Sequence, residues 1–490
     1  MQTKPTTLAV IADVHYGTHS SVPQRRCAIG DILLARAVRR LNHLIRPDVT
    51  LVLGDLLDDG RHPNAKAWLS DLRAILDTLD SPYIAIPGNH DGDTDTFYQV
   101  FDRPGAVENL CGVRFLPFVD QEAPGYNASR SETDVQRPRM ARVDYDGPLV
   151  ALQHVCLGPP AQSRTPYNYT NAQEIITAMK DTGVTLSISG HHHEGAEDIS
   201  DGAVTFVNAP GLCEAPFLFT VITIDGEHVS TERHALAMPE HLRLVDKHLH
   251  TQMAYCSENM DVERSIGLAR DLGLAGLTFT EHSGQLYFDK TRYWNKTCLR
   301  EGMDAVNPSD NRMAAYLDLK RMYQQDGIRF GLEADCDYRG QLLVTPDDRQ
   351  HFDFIVGAMH GLPSLTGMAS AGDAAQQAFL SLLEKLLANE IDVLAHPFRV
   401  FRRSGLTPPE QLFQPTAELL KKHQVAAEIN FHTNEPPIAF IKICLDIGVK
   451  ISFGSDAHHL AEIGDFACHL ALLKSAGFDG DLSEILIQDQ

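Results

Sequence analysis

The chain has 490 residues, enough for two or three domains of ordinary size. With 43% hydrophobic, 22% charged and 7% aromatic residues it is not a disordered or low-complexity polymer. A net charge of −23, from 65 acidic against 42 basic side chains, counts against a nucleic-acid backbone or an anionic membrane as partner, although carboxylates that hold divalent ions would reverse that sign locally.

From the N-terminus, short apolar runs end in polar clusters. Leu8–Ala12 precedes Asp13, Val49–Leu53 precedes Gly54-Asp55, and Tyr83–Ile86 precedes Pro87-Gly88. Leu149–Leu152 ends at His154 and Val184–Ile188 at Gly190. Continuous apolar runs of this length predict strands buried on both faces. Between the first two, Leu34, Val38, Leu41 and Ile45 follow helical spacing and predict a helix over 32–45. Past residue 205 the pattern turns to short strands, with a hairpin expected from Phe217–Ile224, Asp225-Gly226 and His228–Arg233. A short linker at Ala237–His241 divides the chain into domains 1–238 and 243–490.

The second half cycles seven times from an apolar strand to a polar tip: Leu244–His250, Leu277–Glu281, Ile328–Glu333, Phe354–Ala358, Val393–His396, Val425–Ile429 and Val449–Gly454. Helical stretches intervene, such as Gln376–Ala388 with Phe379, Leu382, Leu383 and Leu386 on one face. That alternation predicts a β/α barrel with its site at the carboxyl ends of the strands. Nine scattered cysteines without a C-x-x-C pair suit reduced thiols. No leader and no apolar run near ~18 residues is evident, so a cytoplasmic protein with no membrane segment is expected.

The polar tips of the first half form an ordered set: Asp13-x-His15, Gly54-Asp55-x-x-Asp58, Gly88-Asn89-His90-Asp91, His154 and Gly190-His191-His192-His193. Each alone is a common turn or strand end. Together, carboxylate, amide and imidazole donors are ligands for Mn, Fe or Zn ions, and two ions about 3.5–4 Å apart can clamp both oxygens of a phosphoryl transfer. The set resembles the calcineurin-like metallophosphoesterases over residues 5–235. The resemblance implies a two-sheet αββα fold, one metal on Asp13, His15, Asp55 and His193, and a second on Asp55, Asn89, His154 and His191. It makes His90 the catalytic imidazole, with Asp91 placed to orient it. Asp58 is as readily a structural hydrogen-bond acceptor, and His192 is left out as pointing away from its neighbours.

In the second half, His248-x-His250 ends the first strand, with both imidazoles on one face. Thr280-Glu281-His282, Glu333, His360, His396-Pro397 and Ser455-Asp456-Ala457-His458 follow, and the sixth strand ends in Glu428-x-Asn430. This resembles the PHP (polymerase and histidinol phosphatase) family over residues 243–475. The resemblance implies a distorted seven-stranded β/α barrel with two or three divalent ions (Zn, Mn or Fe). One would lie on His248, His250, Glu333 and Asp456, a second on Glu333, His360 and His396, and a third on His282, His458 and a residue after the His-x-His pair. Here the chain departs from the family, reading Tyr255-Cys256-Ser257-Glu258-Asn259; Glu258 is the expected ligand and Cys256 the alternative. Arg399 is a candidate for binding a phosphate oxygen.

Eleven of the 23 histidines fall in these two sets, and others such as His19, His43, His432 and His459 have no assigned role. The expected protein is a bifunctional metal-dependent phosphoesterase acting through metal-bound hydroxide on small phosphodiesters, cyclic phosphates or phosphomonoesters, with sequential diester then monoester hydrolysis as one form of that expectation. A nuclease, or one active domain beside a non-catalytic metal-binding module, is the alternative. Thinly spread Lys and Arg, densest at Arg399, Arg402 and Arg403, weigh against nucleic acid.

Overall fold

The computed structural model describes residues 4–365 and 371–488. The chain divides into two compact units, Met1–Ala237 and Met238–Gln490.

The first unit is built on two sheets. One has the strand order His228–Ala235, Leu218–Asp225, Thr6–Ile11, Val49–Leu53, Tyr83–Ile86. The other has Ile199–Ser200, Thr205–Asn208, Val184–Ser189, Leu149–Leu152, Val113–Pro117, Glu108–Leu110. Side chains alternate across each strand, so Leu8, Val10, Leu51, Leu53 and Ile86 of the first sheet meet Phe115, Val150, Leu152, Leu186 and Ile188 of the second in one core. Each such side chain contributes roughly 1.5–3 kcal/mol by leaving water. The opposite face of the second sheet packs Leu116, Leu149 and Ala151 against Val135 of helix Glu132–Arg142 and Ile175, Ile176 and Met179 of helix Ala172–Asp181. Helices Gly30–Arg40 and Ala65–Leu76 pack on one another and bury Leu34, Val38, Leu69 and Leu72, completing an α, β, β, α layering. The helix expected over 32–45 is present: it is α-helical over Gly30–Arg40 and continues as a wider π-helical turn over Leu41–Ile45, closed by Arg46 at φ 53°.

The second unit is a nearly closed barrel of seven parallel strands in sequence order: Val245–Leu249, Gly276–His282, Ile328–Asp335, Ile355–Ala358, Val393–Leu394, Ala426–Ile429 and Ile451–Phe453. Backbone bonds from Asp456 N to His248 O (2.6 Å) and from His250 N to Ala457 O (3.1 Å) join the end of the last strand to the first. Two irregularities distort the barrel. The register shifts between Asp246 and Leu249, where Asp246 accepts the amides of His248, Ser455 and Gly464. The fifth strand has only two residues, because Pro397 has no N–H to extend the ladder and its neighbours His396 and Phe398 turn to φ 29° and 69°. Helix Asp373–Leu387 buries Phe379, Leu382, Leu383 and Leu386, the face read from the sequence.

Candidate metal centres

In the first unit, Asp13, Asp55, Asn89 and His154 follow the ends of four strands, and His191 and His193 follow a fifth. Asp13, His15, Asp55 and His191 take positive φ, at 55°, 48°, 51° and 72°. Such backbone is uncommon outside glycine and costs of order 1 kcal/mol or more per residue, so the surroundings must hold it. Hydrogen bonds do this: His191 N donates to Asp13 (2.9 Å) and His90 N to Asp55 Oδ1 (2.7 Å). Gly88 approaches so closely that a Cβ there would lie 2.2 Å from Asp55 Oδ1, which only glycine avoids.

Two groups of donor atoms result. In one, His15 Nε2 lies 3.1 Å from His193 Nε2 and 3.6 Å from Asp55 Oδ2, and His193 Nε2 lies 3.5 Å from Asp13 Oδ1. In the other, His154 Nε2 lies 3.0 Å from Asn89 Oδ1, 3.1 Å from His191 Nδ1 and 3.3 Å from Asp55 Oδ2. Asp55 Oδ2 therefore faces both groups. Outer contacts set the rings. His154 Nδ1 donates to Leu53 O (2.7 Å) and His191 Nε2 to Tyr126 O (3.0 Å), and since a carbonyl only accepts, the inward nitrogen is the one that carries the lone pair when the ring is neutral. His15 and His193 turn Nδ1 to the carboxylates of Asp58 (3.2 Å) and Glu214 (2.7 Å). Burial opposes charge on Asp55, yet His154, His15 and His90 outweigh it and hold its carboxyl well below the usual range. Burial also opposes charge on His154, which Asp55 nonetheless raises to about 10.

His90 stands edge-on to His15, with centroids 4.8 Å apart, and donates Nδ1–H to Asp58 O at 2.7 Å. Asp91 does not reach its ring. It accepts from Leu57 N (2.9 Å) and Gly88 N (2.8 Å), and burial followed by Asp55 pushes it up to about 7, so it braces the loop instead.

In the barrel, every donor gathers around Glu333, which is fully buried. Its Oε2 lies 3.6 Å from His248 Nε2, 3.7 Å from His250 Nε2 and in contact with His282 Nδ1. Its Oε1 lies 2.8 Å from His396 Nε2 and 3.3 Å from His360 Nε2. Asp456 Oδ1 is 2.9 Å from His250 Nε2 and 3.5 Å from His248 Nε2. On the far side, His282 Nε2 is 3.4 Å from His458 Nε2 and 3.6 Å from Cys256 Sγ. Outer carboxylates again seat the imidazoles: Glu428 on His248 Nδ1 (2.6 Å), Asp335 on His360 Nδ1 (2.6 Å) and Glu281 on His250 Nδ1 (3.3 Å). Burial opposes charge on Glu281, but His250, His282 and Thr251 bring it down to about 2.

The buried atoms His248 Nε2, His360 Nε2 and Glu333 Oε2 have no hydrogen-bond partner among the described residues, and leaving such atoms unpaired is costly. Among the described residues, His248, His250, Glu333 and Asp456 offer four ligand atoms within 4.8 Å of one another, as do Asp55, His154 and His191 with three. Nitrogen and oxygen donors so arranged fit divalent cations. Comparison with known families agrees: residues 6–195 match the model of the calcineurin-like phosphoesterases, and residues 246–432 match that of the PHP domain. The chain is a calcineurin-like phosphoesterase domain followed by a PHP domain. It is a metal-dependent phosphoesterase.

Proteins similar to half of this chain or less carry related names. A probable phosphatase of Aliivibrio fischeri is 25% identical over 47% of this chain and 84% of its own length. Another, from Vibrio parahaemolyticus, is 24% identical over 49% and 87%. A probable cyclic nucleotide phosphodiesterase of Rhodococcus erythropolis is 28% identical over 30% of this chain, which spans about half (52%) of that protein. Among solved structures, a dimetal phosphatase from Danio rerio is similar at 16% identity and a TM-score of 0.37, covering 47% of this chain and 98% of its own.

Three residues of the PHP domain sit differently from expectation. Glu258 is exposed, and only its backbone amide reaches the site, donating to His458 O (2.9 Å); the neighbouring Cys256 is the side chain beside His282. Both follow from the tight turns over 252–256, which point the thiol inward and the carboxylate out. Arg399 is 3% exposed and turns inward to pair with Asp456, rather than standing open to a phosphate. His432, without a role in the sequence reading, stacks on His458 at 4.4 Å and meets Glu462 through Nδ1 (3.0 Å). In the phosphoesterase domain, Glu214 follows no strand-end pattern and only the fold reveals it behind His193. No described helix is long and apolar enough to cross a membrane.

Proposed function

We propose that both domains hydrolyse small phosphoesters: phosphodiesters or cyclic phosphates in the N-terminal domain and phosphomonoesters in the PHP domain. The observation that carries this reading is the position of the two shared carboxylates. Asp55 Oδ2 faces two donor groups, and the two oxygens of Glu333 face separate sets of imidazoles. The reading assigns two cations to the N-terminal domain and two or three to the PHP domain, with Asp13, His15, Asp55 and His193 holding one, and Asp55, Asn89, His154 and His191 the other. In the PHP domain His248, His250, Glu333 and Asp456 hold the first, Glu333, His360 and His396 the second. The cations supply Lewis acidity and lower the pKa of water.

The chain's own groups do the rest. His90, anchored through Nδ1 on Asp58 O, is left with Nε2 to give a proton to the leaving-group oxygen. Carboxylates behind the ligand imidazoles keep each ring in its orientation, so the site is preorganised for charge on the phosphoryl oxygens. Linking the domains raises the local concentration of a monoester released by the first, favouring successive removal of both ester bonds. A surplus of 23 acidic side chains, 65 against 42 basic, supports a small substrate over a polynucleotide.

The test uses the full chain with manganese and a panel of diesters and monoesters. Asp55→Asn should lose diester hydrolysis and keep monoester hydrolysis, and Glu333→Gln the reverse. If each variant still completes both steps, the assignment of one step to each domain is wrong.

A further inference from the structure

Two tyrosines stand at the mouth of the N-terminal centre without a part in the chemistry above. Tyr126 occupies the tip of a hairpin, between strands Gln121–Ala123 and Asn127–Ser129, and is 68% exposed. Its backbone sits at φ 59°, next to Gly125 at φ 80°, a conformation that a bulky aromatic rarely adopts and that glycine or asparagine fills at less cost. At this exposure the ring gains little from burial. The hairpin is nevertheless held firmly against the centre: His191 donates Nε2–H to Tyr126 O (3.0 Å).

Tyr167 is held to the same spot from another segment. Asn127 Oδ1 accepts Asn168 N (2.9 Å), and Ala128 and Thr170 exchange backbone bonds across the junction with Asn168 and Ala128 (3.2 and 2.8 Å). The Tyr167 ring lies 4.6 Å from His191 and 6.3 Å from Tyr126, the latter at 79° between planes. The two rings thus form a corner, one floor and one wall, beside a ligand histidine. The cavity next to Asn89 and His154, lined in part by Phe118 and Val119, holds only about 90 Å³. That is far below the roughly 300 Å³ of a pocket that engulfs a small molecule, so a sizeable substituent of the ester must lie on the surface outside it.

We propose that Tyr126 and Tyr167 form a stacking platform for a planar aromatic group joined to the phosphate, which makes aryl or nucleoside phosphodiesters the substrate class of this domain. The inference rests on the phosphodiester reading above. Stacking of a base on an aromatic side chain is sequence-tolerant and strong enough that its removal weakens binding about tenfold or more.

The full-length manganese-loaded enzyme is assayed on three esters: a nucleoside cyclic phosphate, bis(p-nitrophenyl) phosphate and the alkyl diester glycerophosphoethanolamine. Binding of a nucleoside monophosphate and of glycerol phosphate is measured by calorimetry in parallel. Tyr126→Asn, which suits the turn, and Tyr167→Ala should each raise KM for the two aromatic esters about tenfold, leave kcat near its starting value, and leave the alkyl ester unchanged. Tyr126→Phe should behave as the parent. A response of the nucleoside ester alone identifies the platform as a base site, and an equal response of both identifies a general aryl site. Equal losses on all three esters, or none on the aromatic ones, overturn the platform. A parent enzyme inert toward every diester overturns the phosphodiester reading instead. The binding arm then decides the platform: selective loss of nucleoside monophosphate affinity in the variants supports it, and unchanged affinity ends it.

Discussion

Glu428 and His248 meet through a 2.6 Å contact between Oε1 and Nδ1, and both are buried. The second oxygen of Glu428 accepts the amide of His396 at 2.6 Å, so one carboxylate seats histidines that follow two different strands of the barrel. Glu428→Gln keeps the shape but can no longer accept on both oxygens. It should weaken metal binding to the PHP domain by roughly 10–100-fold, seen in a competitive metal titration, with diester hydrolysis by the other domain unaltered. Unchanged affinity would show that the ring is held without it.

Asp55 is the carboxylate that both donor groups of the N-terminal domain share. Asp55→Asn should cut diester turnover by at least ~100-fold and lower the metal content of the purified chain, while PHP-domain turnover stays as it was. Full metal content by elemental analysis would contradict the sharing.

Cys256 and Glu258 are separated by one residue and differ in what they face. The thiol, raised to about 12 chiefly by burial, needs a cation to ionise, and His282 stands beside it, its Nε2 in turn 3.4 Å from His458 Nε2. Loading with cobalt should give a thiolate-to-metal charge-transfer band that Cys256→Ser removes and Glu258→Ala preserves. The opposite pattern would restore Glu258 as the ligand.

His469 donates Nε2–H to Gly454 O (3.1 Å) inside a ring of Phe431, Phe453 and Phe466. Burial holds its pKa down to about 4 against 6.5 for a free imidazole. The unfolded chain therefore takes up the proton first as pH falls. The contribution is complete above pH 6.5 and is lost as the pH drops toward 4, amounting to about 2 kcal/mol by pH 5. In urea unfolding of the PHP domain, His469→Gln should narrow the gap in midpoint between pH 7.5 and pH 5; an unaltered gap would remove His469 as the cause.

Much of this architecture is legible in the sequence because apolar runs and ligand residue types punctuate one another. Leu8–Ala12 before Asp13 and Val49–Leu53 before Gly54-Asp55 announce both a strand and what its end delivers, and the structure brings those ends together. Contacts between segments without periodicity are not legible. Glu214 meets His193 from a turn, and Tyr126 reaches His191 through its backbone carbonyl, which no residue type encodes. Side-chain direction in irregular chain was also hidden: 252–256 is a series of turns, so alternation could not tell Cys256 from Glu258. Arg399 illustrates a third limit, since an arginine at a barrel mouth faces either solvent or a buried carboxylate, and only packing decides for Asp456.

The barrel closes where Asp456 N and Ala457 O bond to the first strand at His248 and His250. Those same stretches carry His248, His250, Asp456 and His458, so an ion held by these residues would act as a clasp across the join. Chelation should consequently do more than silence a catalyst: amide protons along 246–250 and 455–458 should exchange faster than those of the middle strands, as the cylinder works open along a single line.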